Sequence, residues 1–468
     1  MLIAKDVERE YKKEKMVVYT SRDLDKLGEL KGIDEKLISE MKVVSEVLPF
    51  RVNNYVIDQL INWNNVPNDP IFQLTFPQKG MLKDTYFEQV EKSMTESLSK
   101  EQHKELIRNI RLELNPHPAG QLEKNIPTLN GKEVQGIQHK YKNTVLFFPS
   151  SGQTCHSYCT FCFRWAQFIG DTDLRMAAKE SDQLQQYLRH HPEVTDILVT
   201  GGDPMVMKTK KLRVYIEPLL TEEFSHIRTI RIGTKALSFW PQRFVSDDDS
   251  DDLINFFSEI KSSGKHLAIM AHYNHWQELS TDISKSAIKK ILNTGAVIRS
   301  QGPLLRHIND KPEIWSRLWQ KQVELGIIPY YMFVERDTGA CNYFEIPLFR
   351  AWEIYQSAIQ KVSGVARTAR GPSMSADPGK VEIQGIIEID SKKYFVLRFI
   401  QGRVSDWVQR PFLAEYSETA TWLNHLKSAS NQGAFFFEAD DNFKRSDNIP
   451  LHNIDTQSLI EKYVPETQ

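Results

Sequence analysis

Gln153-Thr154-Cys155-His156-Ser157-Tyr158-Cys159-Thr160-Phe161-Cys162-Phe163-Arg164 places three thiols at a C-x3-C-x2-C spacing. The 468-residue chain has only four cysteines, so this one loop holds three of them. Thiolates this close can converge on one inorganic centre, and a 4Fe-4S cubane with three protein ligands keeps one iron open for a substrate. A zinc site would need a fourth ligand, which His156 could supply, because Cys341 stands far along the chain with no cysteine partner near it. A disulfide framework is disfavoured, since a chain of this length with 40% hydrophobic residues builds its core without staples.

Just upstream of the loop lies 144–148, the first of six short apolar or β-branched runs; the others are 195–200, 227–232, 266–271, 296–299 and 327–334. Between them fall helix-like stretches such as 180–190, 251–262, 284–293 and 312–325, several followed by stop signals at Gly264, Gly295 and Gly326. Six successive β/α units predict an α/β fold whose core, 139–346, is a partial (β/α)6 TIM-like barrel. A mostly helical region, 1–138, precedes it, with 100–114 the clearest helix and Pro116 and Pro118 ending it. A C-terminal α+β extension, 347–468, follows; it has a helix at 349–362, a Gly/Pro-rich turn region at 371–379 and strand-like runs at 394–400 and 434–437.

Right-handed crossovers put every loop that follows a strand on one face, the face that carries the site in barrels. The unusual polar residues fall there in order. After the cysteine loop come Gly201-Gly202-Asp203-Pro204, then Thr234 and Lys235, His272 with Asn274 and His275, Gln301, and finally Glu335, Arg336 and Asp337. The glycines of the second loop allow close backbone approach, and Asp203 offers a carboxylate to an ammonium group.

Basic and acidic residues number 59 and 61, so no net field favours nucleic acid or an anionic membrane, and a small-molecule substrate is expected. Residues 1–10 lack a signal-peptide pattern and no run of eighteen apolar residues occurs, which predicts a cytoplasmic protein.

Together, Cys155, Cys159, Cys162 and the Gly201–Pro204 segment resemble the radical S-adenosylmethionine (SAM) superfamily. Phe161 is the aromatic before the third cysteine, and Asp203 stands where glutamate is commoner. Further stretches resemble the lysine 2,3-aminomutase family within it. They are Leu48-Pro49-Phe50-Arg51-Val52-Asn53-Asn54-Tyr55, Gln138-His139-Lys140-Tyr141, Arg231-Ile232-Gly233-Thr234, Pro241-Gln242-Arg243, His272-Tyr273-Asn274-His275, Gln301-Gly302-Pro303-Leu304-Leu305 and Pro329-Tyr330-Tyr331. The resemblance implies a radical SAM barrel in which SAM chelates the open iron and yields a 5'-deoxyadenosyl radical. It further implies pyridoxal phosphate (PLP) as carrier of an amino group that moves from the α- to the β-carbon of an amino acid. A one-electron donor such as flavodoxin or ferredoxin is implied as partner, and a homo-oligomer is compatible with the family.

Carried over residue by residue, the resemblance makes Cys155, Cys159 and Cys162 the cluster ligands, and Gly201, Gly202, Asp203, Pro204, His272 and Gln301 the SAM contacts. Arg164 matches the arginine that grips the substrate α-carboxylate, Lys380 the PLP lysine and Lys140 a phosphate cation. Thr144 stands where the family has a second phosphate cation, the glycine run before Lys380 is shortened, and the family's C-terminal zinc-binding cysteines are absent. Of the two positions that serve a distal ammonium in lysine enzymes, Arg336 occupies one and Asp377 the other, which leaves lysine and an acidic amino acid such as glutamate both open. Two alternatives accompany this reading: a PLP-independent hydrogen abstraction in the same family, and a non-catalytic iron-sulfur protein.

Overall fold

The computed structural model describes residues 11–96, 99–115, 124–169, 181–430 and 433–438. An eleven-stranded sheet organises it, with strands that follow one another in chain order from edge to edge. They are β1 (Ile137–Tyr141), β2 (Thr144–Phe147), β3 (Asp196–Val199), β4 (Thr229–Thr234), β5 (His266–His272), β6 (Val297–Leu304), β7 (Ile328–Val334), β8 (Arg370–Ser375), β9 (Gly379–Ile389), β10 (Lys392–Gly402) and β11 (Pro411–Glu415). Strands β2 to β8 run parallel, while β1 and β9 to β11 add antiparallel edges.

The six expected strands are β2 to β7, and β6, expected to stop at residue 299, continues to Leu304. Gln301 therefore lies inside a strand rather than in the loop after it, at a register shift against β7. The region 371–379, expected to be a turn, supplies β8 and the start of β9. The run 434–437, expected to be strand-like, is a turn closed by the Glu438 N–H donating to the Phe435 carbonyl, and its three phenylalanines pack on Phe399 and Phe412.

Pleat geometry sends alternate residues to opposite faces. On β4, Ile230 and Ile232 are buried against the outer helices, while Arg231 turns to the inner face. The outer core is completed by Ser250–Ser262, Asp282–Asn293, Pro312–Glu324 and Leu348–Gln360. Each fully buried Leu, Ile or Phe there contributes about 1.5–3 kcal/mol.

The helix at Lys100–Leu114 forms as expected, capped by the Ser99 hydroxyl accepting from the Gln102 N–H at 3.1 Å; Pro116 and Pro118 lie outside the described residues. It belongs to a second core that joins the N-terminal helices to Phe161, Trp165, Leu305, Ile308 and Phe344, residues of the loops that follow β2, β6 and β7. The N-terminal segment thus covers the loop face.

No backbone pairing joins β1 to β11, so the sheet stays open. Side chains cross the seam instead. Lys124 pairs with Asp377 at 2.7 Å, Arg403 bonds both Asp377 and Asn125, and the Lys140 ammonium donates to the Ala376 carbonyl.

Candidate active site

Backbone bonds and one buried asparagine fix the cysteine loop. Tyr158 N–H donates to the Arg51 carbonyl at 2.8 Å and Thr160 N–H to the Leu74 carbonyl at 3.0 Å. Asn53, wholly buried, receives a role that its motif did not reveal: its amide donates to the carbonyls of His156 at 3.3 Å and Phe239 at 2.8 Å, and its N–H donates to Ser157 Oγ. The three thiols are free, and burial, then the charge of Asp203 and after it those of Cys162 and Cys159, raises the Cys155 pKa well above the ordinary range. Burial also pushes Cys159 up, and Cys162 to about 11. Such thiols ionise when a cation compensates them, and this donor set suits a thiolate-ligated cluster. Among the described residues no group of three or more His, Cys, Asp or Glu is placed to hold a single metal ion.

Gly201 and Gly202 press against the entrance of that loop. A Cβ on Gly202 would sit 2.5 Å from the Thr154 carbonyl oxygen, and Gly201 has a φ of 151°. The close approach is to the protein's own backbone, where Asp203 N–H donates to the Thr154 carbonyl at 2.8 Å. The Asp203 carboxylate differs from expectation as well. It is 2% exposed and already accepts from Thr234 Oγ1, Lys235 N–H and Met205 N–H, so the donors that it serves are internal. Burial raises its pKa to about 6.

Inside the curl of the sheet is a cavity of about 270 Å³. It is lined by Lys140, Arg164, His272, Gln301, Arg336 and Lys380, which brings these six sequence-derived candidates together. The cysteines, Gly201–Pro204 and Asp377 are not part of its lining; Phe161, within the cysteine loop, is. Two buried nitrogens at the cavity, Arg164 Nη1 and His272 Nε2, have no hydrogen-bond partner, as expected where a polar ligand binds. Arg164 stacks its guanidinium 4.1 Å from the Phe148 ring centre, and burial lowers its pKa to about 9. His272 is held neutral by burial, then by the charge of Lys235.

Lys380 emerges from β9, where its backbone pairs with Ser375 and Gln401. Its ammonium stands over Tyr331 and Phe333, and burial, followed by Arg231 and Arg370, lowers its pKa to about 7. Such an amine is poised as a nucleophile towards an aldehyde. Lys140 is lowered too, by burial and then by Arg403 and Arg336. Thr144 is buried beside the cavity, where it offers a neutral hydroxyl.

Asp377 departs from the expected substrate-binding role, because Lys124 and Arg403 occupy its carboxylate at the seam. Arg336 does reach the cavity, 5.0 Å from the Phe163 ring centre, and its neighbour Glu335 lines it as well. Burial holds the Glu335 carboxyl well above the usual carboxylate range. Arg231, Tyr331 and Phe333 also line the cavity and had been given no role. The signal for Arg231 was a charge in the middle of an apolar strand, where only an inner face can accept it.

A protein of Aquifex aeolicus (strain VF5) named "Putative L-lysine 2,3-aminomutase" is 32% identical over 356 residues, 76% of this chain and 83% of its own. The chain belongs to the lysine 2,3-aminomutase family of radical SAM enzymes. An L-lysine 2,3-aminomutase of Methanococcus maripaludis shares 24% identity over 83% of this chain and 79% of its own length. The family member of that name from Bacillus subtilis (strain 168) shares 26% over 58% and 55%. No protein-family profile matches the chain. A solved radical SAM methyltransferase from Sphaerobacter thermophilus overlaps 50% of this chain and 68% of its own at a TM-score of 0.36 and 14% identity, too slight a likeness to bear on this family member's fold or function. Among the described residues no helix is long and apolar enough to cross a membrane.

Proposed function

We propose that this chain is a radical SAM amino-acid 2,3-aminomutase that uses a 4Fe-4S cluster, SAM and PLP. The observation that carries the reading is Lys380, an amine of lowered pKa that shares one cavity with Arg164, His272 and Gln301. When bound, the cluster with SAM supplies a hydrogen-abstracting radical, and PLP supplies a π-system that carries the migrating amino group.

The chain's own residues hold and shield. Cys155, Cys159 and Cys162 would ligate the cluster, and Gly201 and Gly202 seat the second loop against theirs. His272 and Gln301, which line the cavity from β5 and β6, would supply polar contacts to SAM. Arg164 offers a bidentate donor to the substrate α-carboxylate, its orphaned Nη1 ready to bond. Lys380 Nζ, with a pKa lowered to about 7, is about half unprotonated at pH 7, so a substantial free-amine fraction would be available to an aldehyde carbon without a separate base. Lys140 would hold the phosphate as a cation once that anion is beside it, and the walls Tyr331 and Phe333 would exclude water.

The test is anaerobic reconstitution with iron, sulfide and PLP, borohydride reduction and peptide mapping. Pyridoxyl on Lys380, lost in Lys380→Ala together with amino migration, is the expected result. An intact cluster that cleaves SAM with no pyridoxyl adduct would instead favour the PLP-independent reaction, the reading to which the neutral Thr144 lends weight.

A further inference from the structure

Lys235 and Glu278, in the loops that follow β4 and β5, form an ion pair of 2.6 Å that is 9% and 0% exposed, and neither residue lines the cavity. Their other bonds are internal too. The Lys235 ammonium donates to Asn274 Oδ1 at 3.0 Å and to the His272 carbonyl at 3.3 Å, while Glu278 Oε2 accepts from the N–H groups of Asn274 and His275 at 2.6 and 2.8 Å. The desolvation of two buried charges can exceed their attraction, and well-packed apolar residues often serve such a place as well, so stability alone does not account for this pair.

The pair is tied to the cysteine loop on two sides. Lys235 Nζ stands 4.5 Å from the centre of the Phe239 ring, and Phe239 belongs to the buried core on which Cys159 and Cys162 pack. The Asn53 amide joins the Phe239 carbonyl to that of His156, inside the loop. On the other side the ammonium holds the His272 carbonyl, and the His272 ring lies 5.5 Å from that of Phe161, which stands between Cys159 and Cys162. Of the charges that act on Cys159, that of Lys235 is foremost and favours negative charge there, and that of Glu278 opposes it more weakly. We propose that Lys235 and Glu278 are a charge pair that sets the one-electron reduction equilibrium of the cluster at Cys155, Cys159 and Cys162, Lys235 favouring the added electron and Glu278 opposing it. Both are positioning residues, since neither touches the reacting atoms. The inference rests on the cluster reading above and needs neither PLP nor a particular substrate. In the step concerned the cluster gains one electron, a one-electron donor loses it, and no bond forms or breaks. A buried charge about 10 Å from a cluster, at an effective dielectric constant of about 20, changes such an equilibrium about tenfold.

The experiment reconstitutes the full chain anaerobically with iron and sulfide, without SAM or PLP, and follows the reduced cluster by electron paramagnetic resonance during a dithionite redox titration. Lys235→Met, in which Glu278 keeps its two N–H donors, should disfavour reduction about tenfold, a fall of about 59 mV for one electron. Glu278→Gln, in which the ammonium keeps Asn274 and the His272 carbonyl, should favour reduction by a smaller factor. The double variant should return most of the way to the unmodified chain, and Lys235→Arg should stay close to it. Mere loosening of the loops would move both single variants the same way, so shifts of one sign, or no shift in Glu278→Gln, would overturn the proposal. If Lys235→Met takes up no cluster, a rise in Glu278→Gln still supports it; failure of both to take up a cluster would overturn it by making the pair purely structural. A cluster in the unmodified chain that ignores both substitutions would sink the charge pair and leave the proposed function standing, whereas no cluster in the unmodified chain would sink both.

Discussion

The Lys380 ammonium stands 4.1 Å from the centre of the Tyr331 ring, and no carboxylate among the described residues pairs with it. Burial and the cations Arg231 and Arg370 therefore act on the amine unopposed, and its pKa falls to about 7. Between about pH 7 and the ordinary lysine range the unfolded chain holds a proton here that the folded one does not, so stability contributed by this site rises with pH through that window.

The same titration governs reactivity. Borohydride-trapped pyridoxyl at Lys380 should increase about tenfold per pH unit below pH 7 and level off above it, because only the free amine attacks. Trapping rates measured from pH 5.5 to 10 by quantitative mass spectrometry check this. A log-linear rise continuing to pH 10 would mean an ordinary surface lysine.

Gly202→Ala should damage the cysteine loop from outside it. The new methyl would lie 2.5 Å from the Thr154 carbonyl oxygen, and a backbone neighbour cannot swing away as a flexible side chain can. The expected cost is about 1–3 kcal/mol in denaturant unfolding, together with lower iron and sulfide content after reconstitution. Gly264→Ala, at a surface turn with open space around it, serves as the control for strain without a clash. Equal iron content in the two variants would refute the argument.

Asp377→Ala should weaken the seam and leave substrate affinity nearly alone. The Lys124–Asp377 pair is about one-third exposed, so its loss should cost about 0.5–1 kcal/mol in thermal or chemical unfolding. Lys124 and Arg403 hold the carboxyl below its ordinary range despite burial. A lowered folded-state pKa means that this stability is full above the ordinary aspartate pKa and disappears as pH falls through the lower folded value. A rise in KM of more than about tenfold with unchanged unfolding would return Asp377 to the substrate site.

The apolar runs of β2 to β7 were legible because each buries its outer residues under a helix, and that need is written locally as Ile, Val and Leu. The strand β8 was not, since Arg370-Gly371-Pro372-Ser373 carries turn residues and becomes a strand only through pairing with β7 on one side and β9 on the other. Gln301 looked like a loop residue for a related reason: a polar side chain inside a strand is intelligible only once the inner face is known to border a cavity. The cysteine spacing announced itself from one loop. Asp203 did not reveal its use, because Thr234 and Lys235, two of the donors that occupy it, arrive from another strand. Asp377 was misplaced because its partners, Lys124 and Arg403, lie more than 250 residues and 26 residues away in the chain.

Lys380 sits on a strand that extends the same sheet as β2 to β8, rather than on a separate module. Cutting the chain before Arg370 would strip the amine and at the same stroke leave Ile328–Val334 as a bare, largely apolar rim, open to pairing with other molecules. The Lys380 amine and the protection against aggregation are thus inherited as one piece. A shortened core that keeps Lys380 could not be had by deletion, and grafting the lysine onto another sheet would require the flanking strands β8 to β10 to travel with it.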